Sequence, residues 1–245
     1  MMRTDAIEKC RAAKSTSFAV DLGKWLTIMD AYLNGGHAYH ATMPTDALRV
    51  FRDAMLETKA IGFETLRAAQ WEQGKAVRAL DLGTGSGIVA LTLALEQPAW
   101  QVDAVDYSPA ALTVASDNAQ RLGAANVRLR HSDWYGSLAS DERFHLIVSN
   151  PPYIHASDPH LAQGDLRFEP AGALTDHADG LSCIRAIIDG ARRHLLPQGW
   201  LLFEHGYDQA TECRRLLAQA GFGQVASVSD LAGIERVTLG RLPAG

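Results

Sequence analysis

Leu80-Asp81-Leu82-Gly83-Thr84-Gly85-Ser86-Gly87 is the stretch from which the fold of this 245-residue chain is read. The apolar run Val77 to Leu82 predicts a strand, and Ile88 to Glu96 predicts a helix, so the glycines stand at a strand-to-helix turn. Three glycines at alternate positions permit positive φ and let backbone approach a ligand with no Cβ in the way. The helix that follows offers free N–H groups at its start. This is a nucleotide-type pocket at the carboxyl end of a first strand. The spacing Gly83-x-Gly85-x-Gly87 is neither the dinucleotide fingerprint nor a P-loop, which would need a Gly-Lys-Ser/Thr ending. An adenosine ligand without phosphates therefore suits the loop better than a pyrophosphate.

Outward from that turn, short Val-, Leu- and Ile-rich runs alternate with helical stretches, as in βα units around a mostly parallel sheet. The pattern predicts strands at Gln101–Asp106, Val127–Arg130, His145–Ser149, Trp200–Glu204, Gln224–Ser229 and Arg236–Arg241. Helices are expected at Pro109–Leu122, Leu181–Leu195 and Gln209–Ala220. Ser108 suits the N-cap of the first of these, Pro109 its first turn and Gly123 its C-terminal stop. Pro197 and Gly199 predict a turn into the Trp200 strand.

Two strand ends add polar groups to the pocket. Asp106 ends the second strand, where a carboxylate can accept hydrogen bonds from both hydroxyls of a ribose. The third strand leads into Ser132-Asp133-Trp134, a polar group beside an aromatic face that can border an adenine. Taken singly, the glycines can be only a turn, Asp106 only a helix entry and Trp134 only core. One such feature at each successive strand end makes the ligand reading the stronger.

After the fourth strand comes Ser149-Asn150-Pro151-Pro152-Tyr153. Two prolines fix φ and leave a stiff turn whose carbonyls are free to accept. Asn150 can present its side-chain oxygen to an N–H donor, and Tyr153 can stack on a flat group. The plainer reading is a strand-ending turn. Beside an adenosine pocket, the four residues become a socket for a planar NH₂ on an sp² carbon, with no dedicated base in evidence.

Composition bounds the rest. With 28 acids against 23 bases and a net charge of -5, the chain lacks the basic surplus that holds nucleic acid by bulk electrostatics. No run of about 18 apolar residues exists, so no membrane span is expected. Three widely spaced cysteines, Cys10, Cys183 and Cys213, give neither a disulfide framework nor a zinc spacing, and a cytoplasmic location is expected. The histidine pairs His37/His40 and His155/His160 lack a third convergent ligand, so no metal is expected. All five lysines and all five methionines precede residue 76; after it stand 13 arginines against 19 acids, and before it 10 bases against 9 acids. A boundary near residue 75 follows, between a mostly helical N-terminal segment, 1–75, and an α/β domain, 76–245. The clearest helices of the N-terminal segment are expected at Ala47–Leu56 and Glu64–Glu72.

The order glycine loop, acidic strand end, Ser132-Asp133-Trp134 resembles the class I S-adenosylmethionine-dependent methyltransferases, whose first motif has this D-x-G-x-G-x-G form. That resemblance implies a Rossmann-like fold with a seven-stranded mixed sheet and S-adenosylmethionine as cofactor. It places Gly83, Thr84, Gly85, Ser86 and Gly87 against the methionine part and Asp106 on the ribose. Trp134 would lie at the adenine with Asp133 nearby, Asp81 would support the loop, and Asn150 would line cofactor and acceptor alike. More closely, residues 76–243 resemble the peptide chain release factor N5-glutamine methyltransferases, through DLGTGSG at 81, VDYSPAAL at 105, SDWY at 132 and SNPPYI at 149. RFEPAGAL at 167, DGL at 179, PQGWLLFEHGYDQ at 197 and DLAGIERVTLG at 230 continue the likeness.

The resemblance implies methyl transfer to the glutamine of the Gly-Gly-Gln loop of class 1 release factors, with Asn150, Pro151, Pro152 and Tyr153 gripping that glutamine. NPPY is shared with methyltransferases of DNA adenine, so transfer to an exocyclic base amine remains an alternative. A cofactor-binding protein of impaired activity is another. The front departs from the family, whose helical bundle and Arg-Pro-Glu-Thr-Glu segment are not visible. Residues 1–75, with Lys14–Leu26 and Gly35–Asp46, resemble instead a fragment of a class V pyridoxal-phosphate aminotransferase, in which Tyr39–Thr42 would match a phosphate-holding segment.

Overall fold

The computed structural model describes residues 77–155, 175, 178–229 and 233–244. The expected N-terminal helices, the aminotransferase-like Tyr39–Thr42, His160 and the stretch 167–174 lie outside the described residues. By its contacts the chain divides into two compact units, Met1–Ala41 and Thr42–Gly245, and every described residue belongs to the second.

That unit is built on seven strands: β1 (Arg78–Leu82), β2 (Gln101–Asp106), β3 (Val127–His131), β4 (Phe144–Ser149), β5 (Leu195–Glu204), β6 (Gly223–Ser229) and β7 (Glu235–Arg241). Among the described residues the helices are α1 (Ile88–Glu96), α2 (Pro109–Leu122), α3 (Ser182–His194) and α4 (Ala210–Gln219). The sheet runs β3-β2-β1-β4-β5-β7-β6, with β7 antiparallel to both neighbours and the other pairings parallel. Helices cover both faces, so the central strands are apolar on both sides, which is why they read as continuous runs. Ala79, Leu146, Val148, Trp200 and Leu202 pack with Val89, Ala90 and Leu91 of α1 on one face. Leu80, Leu82, Ile147, Leu201 and Phe203 pack with Ile184, Ile187 and Ala191 of α3 and Cys213 and Leu217 of α4 on the other.

Local chemistry sets the helix limits. Ser108 accepts from the Ala111 N–H at 3.3 Å, Pro109 occupies the first turn, and Gly123 ends α2 at φ 69°. Asn126 closes the loop beyond α1, its amide nitrogen reaching the carbonyls of Ala94, Gln97 and Trp100 at 3.1, 3.2 and 3.0 Å. In α3, Gly190 makes room for Tyr135: a Cβ there would stand 2.1 Å from the Tyr135 ring. Tyr135 also donates its hydroxyl to the Ile187 carbonyl at 2.8 Å and stacks on His194.

The expected turn before Trp200 proves to be a bulge inside β5. Phe144 pairs with Leu195 and Leu146 with Trp200, so four residues of β5 face one of β4. Pro197 has no N–H to give the ladder, and Gln198, at φ 64°, donates instead to the Leu242 carbonyl. The two edges of the sheet are irregular or charged. β6 carries two register shifts and a positive φ at Gln224, while β3 bears Arg128, Arg130 and His131. A ring of opposite charges ties β1, β2, β3 and the entry to β4: Arg78 and Arg130 each pair with both Asp103 and Glu142 at 2.9–3.2 Å. The Arg130 hydrogen bond is the main cause holding the Glu142 carboxyl down to about 2.

Candidate active site

Strand register brings the site together. Leu82 pairs with Val105 on one side and Ser149 on the other, and Ser149 pairs with Phe203. The next residues, Gly83, Asp106, Asn150 and Glu204, therefore form one row across the carboxyl ends of β2, β1, β4 and β5. Strands lie about 4.8 Å apart, so the row is about 15 Å long. It crosses the switch between β1 and β4, where helices leave toward opposite faces and open α/β sheets bind ligands. Ser149, buried, bolts this crossing by donating its hydroxyl to the Leu82 carbonyl at 2.8 Å.

The glycine loop has φ 68°, 58° and 88° at Gly83, Gly85 and Gly87, conformations that favour glycine. Gly87 is wedged between helices, since a Cβ there would lie 3.1 Å from Leu91 and 3.2 Å from Ala115. At Gly85 a Cβ would meet nothing within 4 Å, so this turn faces open space. Thr84 points inward: its N–H donates to the Val105 carbonyl at 2.9 Å and its hydroxyl to Asp81 Oδ2 at 2.6 Å. The same Asp81 oxygen accepts from the Ala90 N–H at 3.1 Å, and Asn118 of α2 donates to the Ser86 carbonyl at 3.0 Å. Asp81, Thr84 and Ser86 are buried and hold the loop from beneath, whereas Gly83 and Gly85 stand on its accessible side. Burial pushes the Asp81 carboxyl up to about 7, against the Thr84 and Ala90 hydrogen bonds and with a smaller push from Asp106.

Asp106 does more than end β2. Its Oδ2 accepts from Gly85 N–H at 2.8 Å and its Oδ1 from Ser108 N–H at 2.7 Å, so it pins the loop to the entry of α2. Each oxygen keeps a further lone pair for a ligand hydroxyl. The third strand is hooked to it by Ser132 N–H, which donates to the Asp106 carbonyl at 3.0 Å. Trp134, at φ 45°, has its Cζ3 atom 3.8 Å from where a Gly83 Cβ would be, so the indole borders the loop. Asp133 is exposed beside it.

On the other side of the crossing, Asn150 is half-buried, Pro151 buried, and Pro152 and Tyr153 half-buried. Tyr153 donates its hydroxyl to Glu204 Oε1 at 2.8 Å. Its carbonyl accepts from Gln209 Nε2 at 3.0 Å, while Gln209 Oε1 accepts from Gly206 N–H at 2.8 Å. Gly180 must be glycine, because a Cβ at its φ of 75° would fall 2.5 Å from the Tyr153 carbonyl. Burial pushes the Glu204 carboxyl up to about 7, with Tyr153 and Arg236 pulling the other way. Next to it His205 is buried between the Gly206 carbonyl and the Thr238 hydroxyl, each at 2.8 Å. A proton on Nδ1 serves the first and leaves Nε2 to accept from the second. Thr238 then accepts from Ser227, and Ser227 from Arg214, in a chain with one direction throughout.

The structure thus unites the glycine loop, Asp106, Trp134 and Asn150–Tyr153, as their order along the chain suggests. Ser149, Gly180, Glu204, Gln209 and Asn118 were not singled out from the sequence for a role. The DGL and FEHGYDQ stretches contain three of them, as parts of a likeness without a stated task. Among the described residues no cluster of three or more His, Cys, Asp or Glu can hold a metal, and no helix is long and apolar enough to cross a membrane.

A family model described as the methyltransferase small domain matches residues 62–167. The chain is 51% identical over 218 residues to the release factor glutamine methyltransferase of Bordetella pertussis, covering 86% of this chain and 77% of that protein. That match is longer than residues 77–245, so it runs back into the segment before residue 77. The relative of the same name from Burkholderia pseudomallei is 54% identical, over 67% of this chain and 59% of its own length. Against most such relatives the chain thus spans about 60% of their length. In fold it is similar to the N-terminal domain of human METTL16, solved in complex with SAH, with a TM-score of 0.57 at 14% identity over 93% of this chain and 83% of that one. The seven-stranded mixed sheet is that of the S-adenosylmethionine-dependent methyltransferases, and half of all aligned positions with the Bordetella protein are identical; the chain belongs to the release factor glutamine methyltransferase family.

Proposed function

We propose that this protein transfers a methyl group from S-adenosylmethionine to the side-chain amide nitrogen of the glutamine in the Gly-Gly-Gln loop of class 1 peptide chain release factors, in the cytoplasm. The observation that carries the reading is the row of strand ends, which sets the Gly83–Asp106 pocket one strand away from Asn150. The pocket's chemistry suits the cofactor. Its accessible acids are Asp106 and Asp133, with no Lys or Arg between 80 and 108. Such a site repels phosphates and favours a cationic, phosphate-free nucleoside. The open face at Gly85, the spare lone pairs of Asp106 and the indole of Trp134 would receive the amino-acid arm, the ribose and the adenine.

S-adenosylmethionine supplies a methyl already activated by a sulfonium, so the protein's work is alignment and exclusion of water. A glutamine amide nitrogen is a poor nucleophile because its lone pair is delocalised. Asn150 Oδ1 and the Pro151 carbonyl would accept its two N–H groups and turn the lone pair out of conjugation. The same oxygens share the positive charge that develops on nitrogen during transfer. Pro151 and Pro152 keep those acceptors from swinging away, and Tyr153 closes the flat side of the socket.

The test is intact-mass analysis of a purified release factor after incubation with S-adenosylmethionine and this protein, with Asn150→Ala alongside. One added methyl, mapped to the Gly-Gly-Gln glutamine and lost in the variant, is expected. No methyl on the factor, from a protein that binds S-adenosylhomocysteine, would overturn the activity and leave a cofactor-binding protein.

A further inference from the structure

The acceptor turn is held at both ends, and its second fastening belongs to residues to which the reaction assigns no direct part. At its start, two prolines restrict the backbone. At its finish, Tyr153 is gripped at two atoms: its hydroxyl by Glu204 and its carbonyl by Gln209. Both grips come from the carboxyl end of β5 and the turn after it. Gln209 is itself fixed there, since its side-chain oxygen takes the Gly206 N–H and its own N–H donates to the Gly206 carbonyl at 3.1 Å. Gln209 Nε2 also reaches the Gly180 carbonyl at 3.3 Å, so the start of α3 is stitched to the same piece. Glu204 is only 7% exposed. Burying a carboxyl costs free energy that an apolar residue of similar size would not. The Tyr153 hydroxyl is what that carboxyl grips.

From this geometry we infer that Glu204 and Gln209 are positioning residues for methyl transfer, acting through Tyr153 to hold the planar wall of the acceptor socket. The inference rests on the proposed reaction and adds to it which residues outside the Asn150–Tyr153 turn set the geometry of that turn. Docking of a folded protein substrate spreads over a large surface, so loosening one wall of the socket leaves its affinity nearly intact. The chemical step, which depends on the angle between nitrogen, carbon and sulfur, loses rate.

The experiment compares Glu204→Leu, Glu204→Gln, Tyr153→Phe and the Glu204→Leu/Tyr153→Phe double variant in the full chain. Steady-state methylation, calorimetric binding of S-adenosylhomocysteine and thermal melting are measured for each. In a parallel series of the wild-type, Glu204→Leu and Glu204→Gln proteins, 3-fluorotyrosine placed at position 153 reports the ring by its ¹⁹F line with no release factor present. Glu204→Leu and Tyr153→Phe are expected to lower kcat by about tenfold or more, with KM for the release factor moving less than about threefold. The double variant is expected to be no worse than either single one, as for two groups acting as one unit. Glu204→Gln still offers an acceptor oxygen and is expected to recover most of the loss and to restore the ¹⁹F line that Glu204→Leu shifts and broadens. Unchanged kcat in Glu204→Leu overturns the inference, as does a loss shared with cofactor affinity and melting temperature. A Glu204→Gln variant as slow as Glu204→Leu overturns it too, because the carboxylate would then act by its charge. If the wild-type protein methylates no release factor while the ¹⁹F line responds as described, the proposed reaction fails and the grip on Tyr153 stands.

Discussion

Asp81 sits under the glycine loop with Thr84 and Ala90 on one oxygen, and the second oxygen has no hydrogen-bond partner among the described residues. Its carboxyl, like that of Glu204, is pushed up to about 7, chiefly by burial. A raised folded value means that the native state holds a proton that the unfolded chain has released. The stability contributed by these two carboxyls is therefore fullest below the ordinary carboxyl range and declines as pH rises from about 4 toward 7, by at most about 1.4 kcal/mol per pH unit for each group. Glu142 has the opposite sign: held down to about 2, it adds stability above its ordinary value that is lost as pH falls toward 2. Urea unfolding followed between pH 4.5 and 8 is expected to show the decline, and Asp81→Asn to make it shallower. An equal slope in the variant would mean that Asp81 titrates normally. At this scale the sequence was legible where a residue type announces itself, as with three alternating glycines or an acid at a strand end. Glu204 and Gln209 gave no such signal, because their partner, Tyr153, stands more than fifty residues away.

Helix α3 shows the same limit one level up. The alternation of strand-like and helical stretches revealed the element, but Gly190 in the middle reads from sequence only as a weak helix position. Alanine would ordinarily favour a helix by about 1 kcal/mol over glycine. Here the added Cβ would stand 2.1 Å from the Tyr135 ring, which is itself pinned by Ile187 and His194. Gly190→Ala is accordingly expected to destabilise by about 1–3 kcal/mol, as overpacking does, measured by the shift in urea midpoint. A neutral or stabilising result would show that Tyr135 can move aside freely. Element limits were legible wherever a cap or a proline sets them, as at Ser108, Pro109 and Gly123. The bulge in β5 was not, because Pro197 and Gly199 mark a departure from the ladder without saying whether the strand resumes in line. The pairing of Leu195 with Phe144 decides that, and it is a contact across some fifty residues.

Across the whole molecule, alternating strands and helices foretold a mainly parallel sheet, and the family likeness foretold seven strands of mixed direction. The order β3-β2-β1-β4-β5-β7-β6 is what turns four separate motifs into one row. Asp106 is central to that row because it joins β2, the glycine loop and α2 through a single carboxylate. Asparagine must turn its NH₂ toward one of the two N–H groups, losing that bond and the lone pairs on that side. Asp106→Asn is expected to weaken S-adenosylhomocysteine binding about tenfold or more, read by calorimetry, at a stability loss of about 1 kcal/mol. Undiminished affinity would remove Asp106 from the ligand site. The outer strands of the sheet carry a separate consequence. A regular, uncharged border strand invites another chain to add itself, and that is how ladders of misassembled protein grow. Here one border carries Arg128, Arg130 and His131 and the other is broken by two shifts of register, so neither is at once regular and uncharged.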